Sequence, residues 1–206
     1  MFWCVLDSWA SQFLLVAVCC EGSTVKLFRP DGSLLDELAF EGAATGWVKP
    51  SLAWDGRGRL LAMGRTDGTI IFDTERGTVD KIDGGVTWGI AFSLNGSYLA
   101  VDGPNQNLVV YQNAGAPGSG PYVPLDRDFP VSDFAAGATA IAFKDDRTLA
   151  YGDDAGALFI ADLSVQAPPS KFDTGRPGIN ELAYSKDGLL AVAAGPGTAG
   201  EVFLFD

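Results

Sequence analysis

The side chains able to do chemistry are few and sit in particular places. The 206-residue sequence contains no histidine. This removes Ser-His-Asp and Cys-His catalysis and every His-ligated metal site. The densest acidic clusters are Asp126-Arg127-Asp128 and Asp153-Asp154. A calcium loop needs spaced oxygen ligands, and the EF-hand spacing is not met. A glycosidase needs two carboxylates held across a cleft, a separation that adjacent acids in loops do not define. These acids read as solvated turn formers. The stretch GAPGSGP at 115–121 has no Lys-Ser/Thr after it and opens no helix, so it is not a phosphate loop. Cys4, Cys19 and Cys20 make neither a disulfide framework nor a C-x-x-C pair. They read as small apolar core residues in a reducing compartment. No cofactor and no metal is expected.

Contact chemistry is better supplied. Trp47, Trp88 and Arg65 stand in turn-rich connections, and Tyr122, Phe129 and Phe134 lie close together between 113 and 137. Aromatic and Arg side chains anchor protein interfaces, so these six are the candidate partner-binding residues. The alternative for the two tryptophans is that they cover the ends of core strands. The alternative for the 113–137 aromatics is a loop that packs on itself.

The elements that position these residues follow from composition and pattern. Hydrophobic residues make up 47% of the chain and charged ones 19%, the balance of a globular protein. Fourteen basic residues against 26 acidic ones leave a net charge of −12. Nucleic acid and anionic membrane would both be repelled, and a protein partner would present basic surface. The apolar run FLLVAVCC at 13–20 is too short to span a membrane and has no basic residue before it. It reads as a buried strand of a cytoplasmic protein.

A repeat organises the whole chain. Ala followed by an aromatic recurs at Ala53-Trp54, Ala91-Phe92, Ala142-Phe143 and Ala183-Tyr184. Leu followed by Ala recurs at Leu61-Ala62, Leu99-Ala100, Leu149-Ala150 and Leu190-Ala191, with Ser8-Trp9 and Val16-Ala17 a weaker first copy. Turn pairs separate the two anchors: Asp55-Gly56, Asn95-Gly96, Asp145-Asp146 and Asp187-Gly188. A third apolar segment follows in each unit: TVKLF, TIIFD, LVVYQ, ALFIAD and EVFLFD. A fourth closes all but the last: LLDELAF, TVDKI, YVPL and SKFD. Apolar runs of this length bounded by Gly, Asp and Asn are strands, and no helical periodicity is found. The Ala anchors from Ala53 onward lie 38, 51 and 41 residues apart. A period of about 40–45 residues with four strands is that of a propeller blade.

The pattern resembles the WD-repeat β-propellers. Phe72-Asp73 and Phe205-Asp206 come nearest to the Trp-Asp that ends the third strand of such repeats. The family's Gly-His pair has no counterpart in a chain without histidine. The resemblance implies an all-β fold: a β-propeller of about five four-stranded blades, the last incomplete, forming either a five-bladed ring or part of a larger propeller. The blades fall at approximately 1–44, 45–85, 86–137, 138–177 and 178–206 of a single domain. A β-sandwich is the competing architecture. The resemblance also implies a non-catalytic scaffold for protein–protein interactions in a larger complex. The alternative is a five-bladed carbohydrate-active enzyme or sugar-binding lectin. The long 113–137 insertion is expected to be dispensable for folding and to serve as a docking loop, so that Phe129→Ala or Phe134→Ala would cost little stability.

Overall fold

The structure is a computed structural model and describes residues 6–9, 15–20, 24–39, 51–87, 89–102, 108–115, 121–131, 138–196 and 200–206. Among these residues all regular structure is β-strand, in five antiparallel sheets. The first sheet is β1 (Leu6–Trp9), β2 (Val16–Cys20), β3 (Thr24–Phe28) and β4 (Leu34–Ala39). The second is β5 (Leu52–Trp54), β6 (Leu60–Arg65), β7 (Gly68–Asp73) and β8 (Thr78–Asp83). The third is β9 (Ile90–Phe92), β10 (Tyr98–Asp102), β11 (Leu108–Asn113) and β12 (Tyr122–Pro124). The fourth is β13 (Ala138–Phe143), β14 (Thr148–Asp153), β15 (Ala157–Asp162) and β16 (Ser170–Asp173). The fifth holds β17 (Ile179–Tyr184), β18 (Leu190–Ala194) and β19 (Glu201–Phe205). Each sheet is a meander in which every strand pairs with its neighbour in sequence.

The repeat anchors set the register. Ala53 lies opposite Ala62, Ala91 opposite Ala100, Ala142 opposite Ala150 and Ala183 opposite Ala191. In the second, third and fourth sheets this pair of small side chains leaves room for the next sheet's large ones. Leu99 and Val101 pack over Ala62 and Ile71, Leu149 and Tyr151 over Ala100 and Val110, and Leu190 and Val192 over Ala150 and Leu158. The core is therefore a series of slabs between successive sheets rather than one central mass.

Turn chemistry ends the strands where the sequence indicates. The carboxylate of Asp55 accepts the Arg59 and Leu60 N–H groups, and that of Asp145 accepts those of Arg147 and Thr148. Gly68 and Gly156 start β7 and precede β15 with φ of 129° and 87°. A Cβ there would strike the carbonyl oxygens of Ile82 and Arg176, so a side chain is barred by both conformation and space.

The inner strands pack in succession: β1 on β5, β5 on β9, β9 on β13 and β13 on β17. No packing of comparable extent joins β17 to β1 among the described residues. There the sheets form an open arc rather than a ring sealed by its first and last members.

Candidate partner-binding surface

Of the six candidate contact residues the structure describes three: Arg65 in the second sheet, and Tyr122 and Phe129 at the third. Trp47, Trp88 and Phe134 lie outside the described residues. Arg65 ends β6 and is only 3% exposed. Its Nε donates to Asp67 at 2.9 Å, and Lys81 reaches the other carboxylate oxygen of Asp67 at 3.1 Å. The Arg65 carbonyl accepts the Thr87 N–H, and the Thr87 hydroxyl lies 3.4 Å from that of Thr69. Arg65 thus clamps the β6–β7 turn to the chain that leads into β9. Arg65 braces this corner with its guanidinium buried, which corrects the expectation of a presented contact residue.

The 113–137 insertion also differs from expectation. Phe129 is 4% exposed and makes an antiparallel bridge with Leu108. Its ring meets Tyr151 edge-on at 6.4 Å, and Tyr151 stacks on Phe159 at 4.9 Å. The Arg127 guanidinium lies 5.1 Å over the Phe129 ring. It also donates to the carbonyls of Asp162, Val165 and Ala167. The Tyr151 hydroxyl donates to the Pro130 carbonyl. Tyr122 lies half-buried against Phe92 and donates its hydroxyl to the Gly96 carbonyl at 2.6 Å. Burial pushes the Tyr122 hydroxyl above its ordinary pKa. Residues 121–131 are therefore sewn to the third and fourth sheets. The view of Phe129 as an exposed docking aromatic is corrected: a β-bridge and an aromatic stack bury it.

The acidic clusters divide by burial. Asp153 is buried and accepts the Ala157 N–H, while its carbonyl accepts that of Gly156. Asp154 and Asp126 are exposed. No group of three or more Cys, Asp or Glu side chains is placed to hold a metal among the described residues. The inner strands enclose a cavity of about 230 Å³ whose polar lining includes Ser51, Thr139, Asn180 and Glu181. Among the described residues Glu181 is the one carboxylate that lines it, where glycoside hydrolysis uses two.

One feature escaped the sequence. At the opposite end of the blades a polar groove of about 440 Å³ runs between the third and fourth sheets. Asn95, Gln112, Asp146 and Arg147 line it, and the Asn95 N–H donates to Asp146 at 2.6 Å. The only signal for it was the pair of turns Asn95-Gly96 and Asp145-Asp146, which sequence reasoning took as turn chemistry alone.

Repeated four-stranded meanders packed face to face through their inner strands define a β-propeller. The chain has that fold. It is similar to the β-propeller domain of Cps50 (Swd1) from Myceliophteria thermophila, with 16% identity and a TM-score of 0.72. That match covers 93% of this chain and 62% of the other. It is also similar to a chain in a crystal structure of the Mitotic Checkpoint Complex, with 16% identity and a TM-score of 0.74. There it covers 97% of this chain and 60% of the other. The chain thus spans about three fifths of the length of the solved structures it matches. No family profile matches the sequence, and no curated protein matches it.

Proposed function

We propose that this protein is a non-catalytic scaffold that holds other proteins together in a cytoplasmic complex. The observation that carries the reading is how its polar side chains are used. Asp55, Asp73, Asp153, Arg65 and Arg127 each hold a turn, a strand end or a connection. They are engaged in building the blades rather than gathered around a reacting atom. Propellers of the same shape occur in multi-protein assemblies such as the Mitotic Checkpoint Complex, which supports a docking role for this one. The partner presents basic surface, complementary to the net charge of −12. Its contacts are Trp47, Trp88 and Phe134, in the connections that lead into inner strands, where rigid scaffolds carry their binding residues.

The test is capture of partners by wild-type chain and by Trp88→Ala and Trp47→Ala chains of unchanged circular dichroism. Loss of a captured protein from either variant, with the loss mimicked by raised salt, is the expected result. Retention by both variants, or turnover of glycoside substrates by the wild-type chain, overturns the reading.

A further inference from the structure

The four later sheets carry the same row of residues on the face turned toward the next sheet. In the second sheet it is Ala53, Ala62 and Ile71; in the third, Ala91, Ala100 and Val110. In the fourth it is Ala142, Ala150 and Ile160; in the fifth, Ala183, Ala191 and Leu204. The next sheet covers the first three rows with two large aliphatic or aromatic side chains from its second strand: Leu99 and Val101, Leu149 and Tyr151, Leu190 and Val192. Ala62, Ala100 and Ala150 are wholly buried as a result. The fourth row is left open. Leu204 is 65% exposed, and Val202, which pairs with Ala193 on the same face, is 69% exposed.

We propose that this face of the fifth sheet is a docking surface for a further propeller blade. The blade meets it with a pair of large aliphatic side chains, as Leu190 and Val192 meet the fourth sheet. Three lines on the molecule favour a blade over other occupants. The row matches, position for position, three rows that blades already cover. An exposed aliphatic patch on a sheet face is otherwise unfavourable in water. The solved propellers that this chain overlays are longer than the chain, which covers 62% and 60% of them.

The repeat supplies its own probe. Asp206 stands where Asp162 stands in the preceding unit, after Phe205 and Ala161 in paired strands. A second copy of residues 163–206 appended after Asp206 therefore continues the repeat in register. It supplies a copy of β16 for β19 and a copied face bearing Leu190 and Val192. The control carries Glu at both those positions of the appended copy only. Reactivity of Leu204→Cys toward a maleimide, read by peptide mass, reports cover on the face.

We expect labelling at position 204 to slow about tenfold or more in the extended chain relative to its control. A melting temperature several degrees higher is expected to accompany it. Equal labelling and equal melting in the two overturn the proposal. The unextended chain gives an independent test through Leu204→Lys. An open face predicts a melting temperature within a few degrees of wild type. A large fall would mean the face is already covered, and the proposal fails. If sedimentation shows the wild-type chain dimerising and Leu204→Lys monomeric, the occupant is a second copy rather than a further blade, and the proposal is equally overturned.

Discussion

The second and fourth sheets share one strand plan and are secured by different chemistry. At the same step of the repeat, Met63 faces Ile70 in one and Tyr151 faces Phe159 in the other. Asp73 ends β7 and holds the Arg59 guanidinium through contacts of 2.6, 3.2 and 3.3 Å. Asp162 ends β15 and instead takes the N–H and hydroxyl of Ser164. The guanidinium near that strand end comes from Arg127, and it serves backbone carbonyls and the face of Phe129. The backbone register is the part of the repeat that is kept. What fills it can be an ion pair with aliphatic packing or an aromatic stack with a tether. The first arrangement answers to protons and the second to lost volume.

The largest effect is expected where the aromatic stack is cut. Phe129→Ala removes a buried ring between the third and fourth sheets and should cost about 3–5 kcal/mol. Thermal unfolding of the variant checks this, with a fall in melting temperature on the order of ten degrees. A fall of a degree or two would return Phe129 to the status of a loop residue and erase the contrast between the sheets.

A smaller effect is expected at Asp73. Asp73→Asn breaks a charge-assisted, mostly buried contact and should cost about 1.5–3 kcal/mol at pH 7. Burial raises the proton affinity of Asp73, but the Arg59 guanidinium and the Glu75 and Arg76 N–H groups outweigh it and leave the pKa lowered. A carboxyl with a depressed folded pKa stabilises above its unfolded pKa of 3.8 and loses that contribution as pH falls through the folded value. The difference between wild type and Asp73→Asn should therefore shrink below about pH 4, measured by denaturant titration. Asp55 runs the other way. Burial raises its pKa, so its stabilising contribution is present below 3.8 and is lost as pH rises through the folded value. A gap for Asp73→Asn that stays constant with pH would mean the carboxylate is not what Arg59 requires.

The smallest effect is expected at Lys81, which bridges Asp67 and Asp83 on the rim of the second sheet. Lys81→Met should barely move the melting temperature, and the shift should vanish in about 1 M salt. A larger, salt-resistant loss would extend the polar network of this sheet to its surface.

Much of the fold was legible in the residues, because a meander of short strands announces itself locally. The segment TVKLF is β3 from end to end, and the two Ala anchors of each of the last four units lie directly opposite one another. Asp55 and Asp145 turn the chain where their pairing with Gly or Asp marked a turn. The contact residues were less legible, for a physical reason. Whether an aromatic in a connection faces water depends on where that connection runs, and long-range partners set its course. Arg127 finds its carbonyls 35 to 40 residues away, and Phe129 finds Leu108 and Tyr151. Composition reads 113–137 as a loop, and nothing within it reveals those partners. Arg65 misled in the same way. Its pairing with Asp67 is local, but its carbonyl is tied to Thr87 on the chain entering β9 and its side chain is buried.

The Arg127 tether also bears on how the molecule meets a protease. An enzyme that cuts after arginine must draw that side chain into its own pocket, with the flanking backbone extended. Here the side chain is already occupied by three carbonyls and an aromatic face, and the backbone two residues on is bridged to β11. Cutting there requires the local structure to open first. Arg76, in the exposed turn between β7 and β8, imposes no comparable requirement. Arg127 is thereby shielded in the stretch of sequence that looks most expendable, while Arg76 stands open in a short turn that looks like part of the frame.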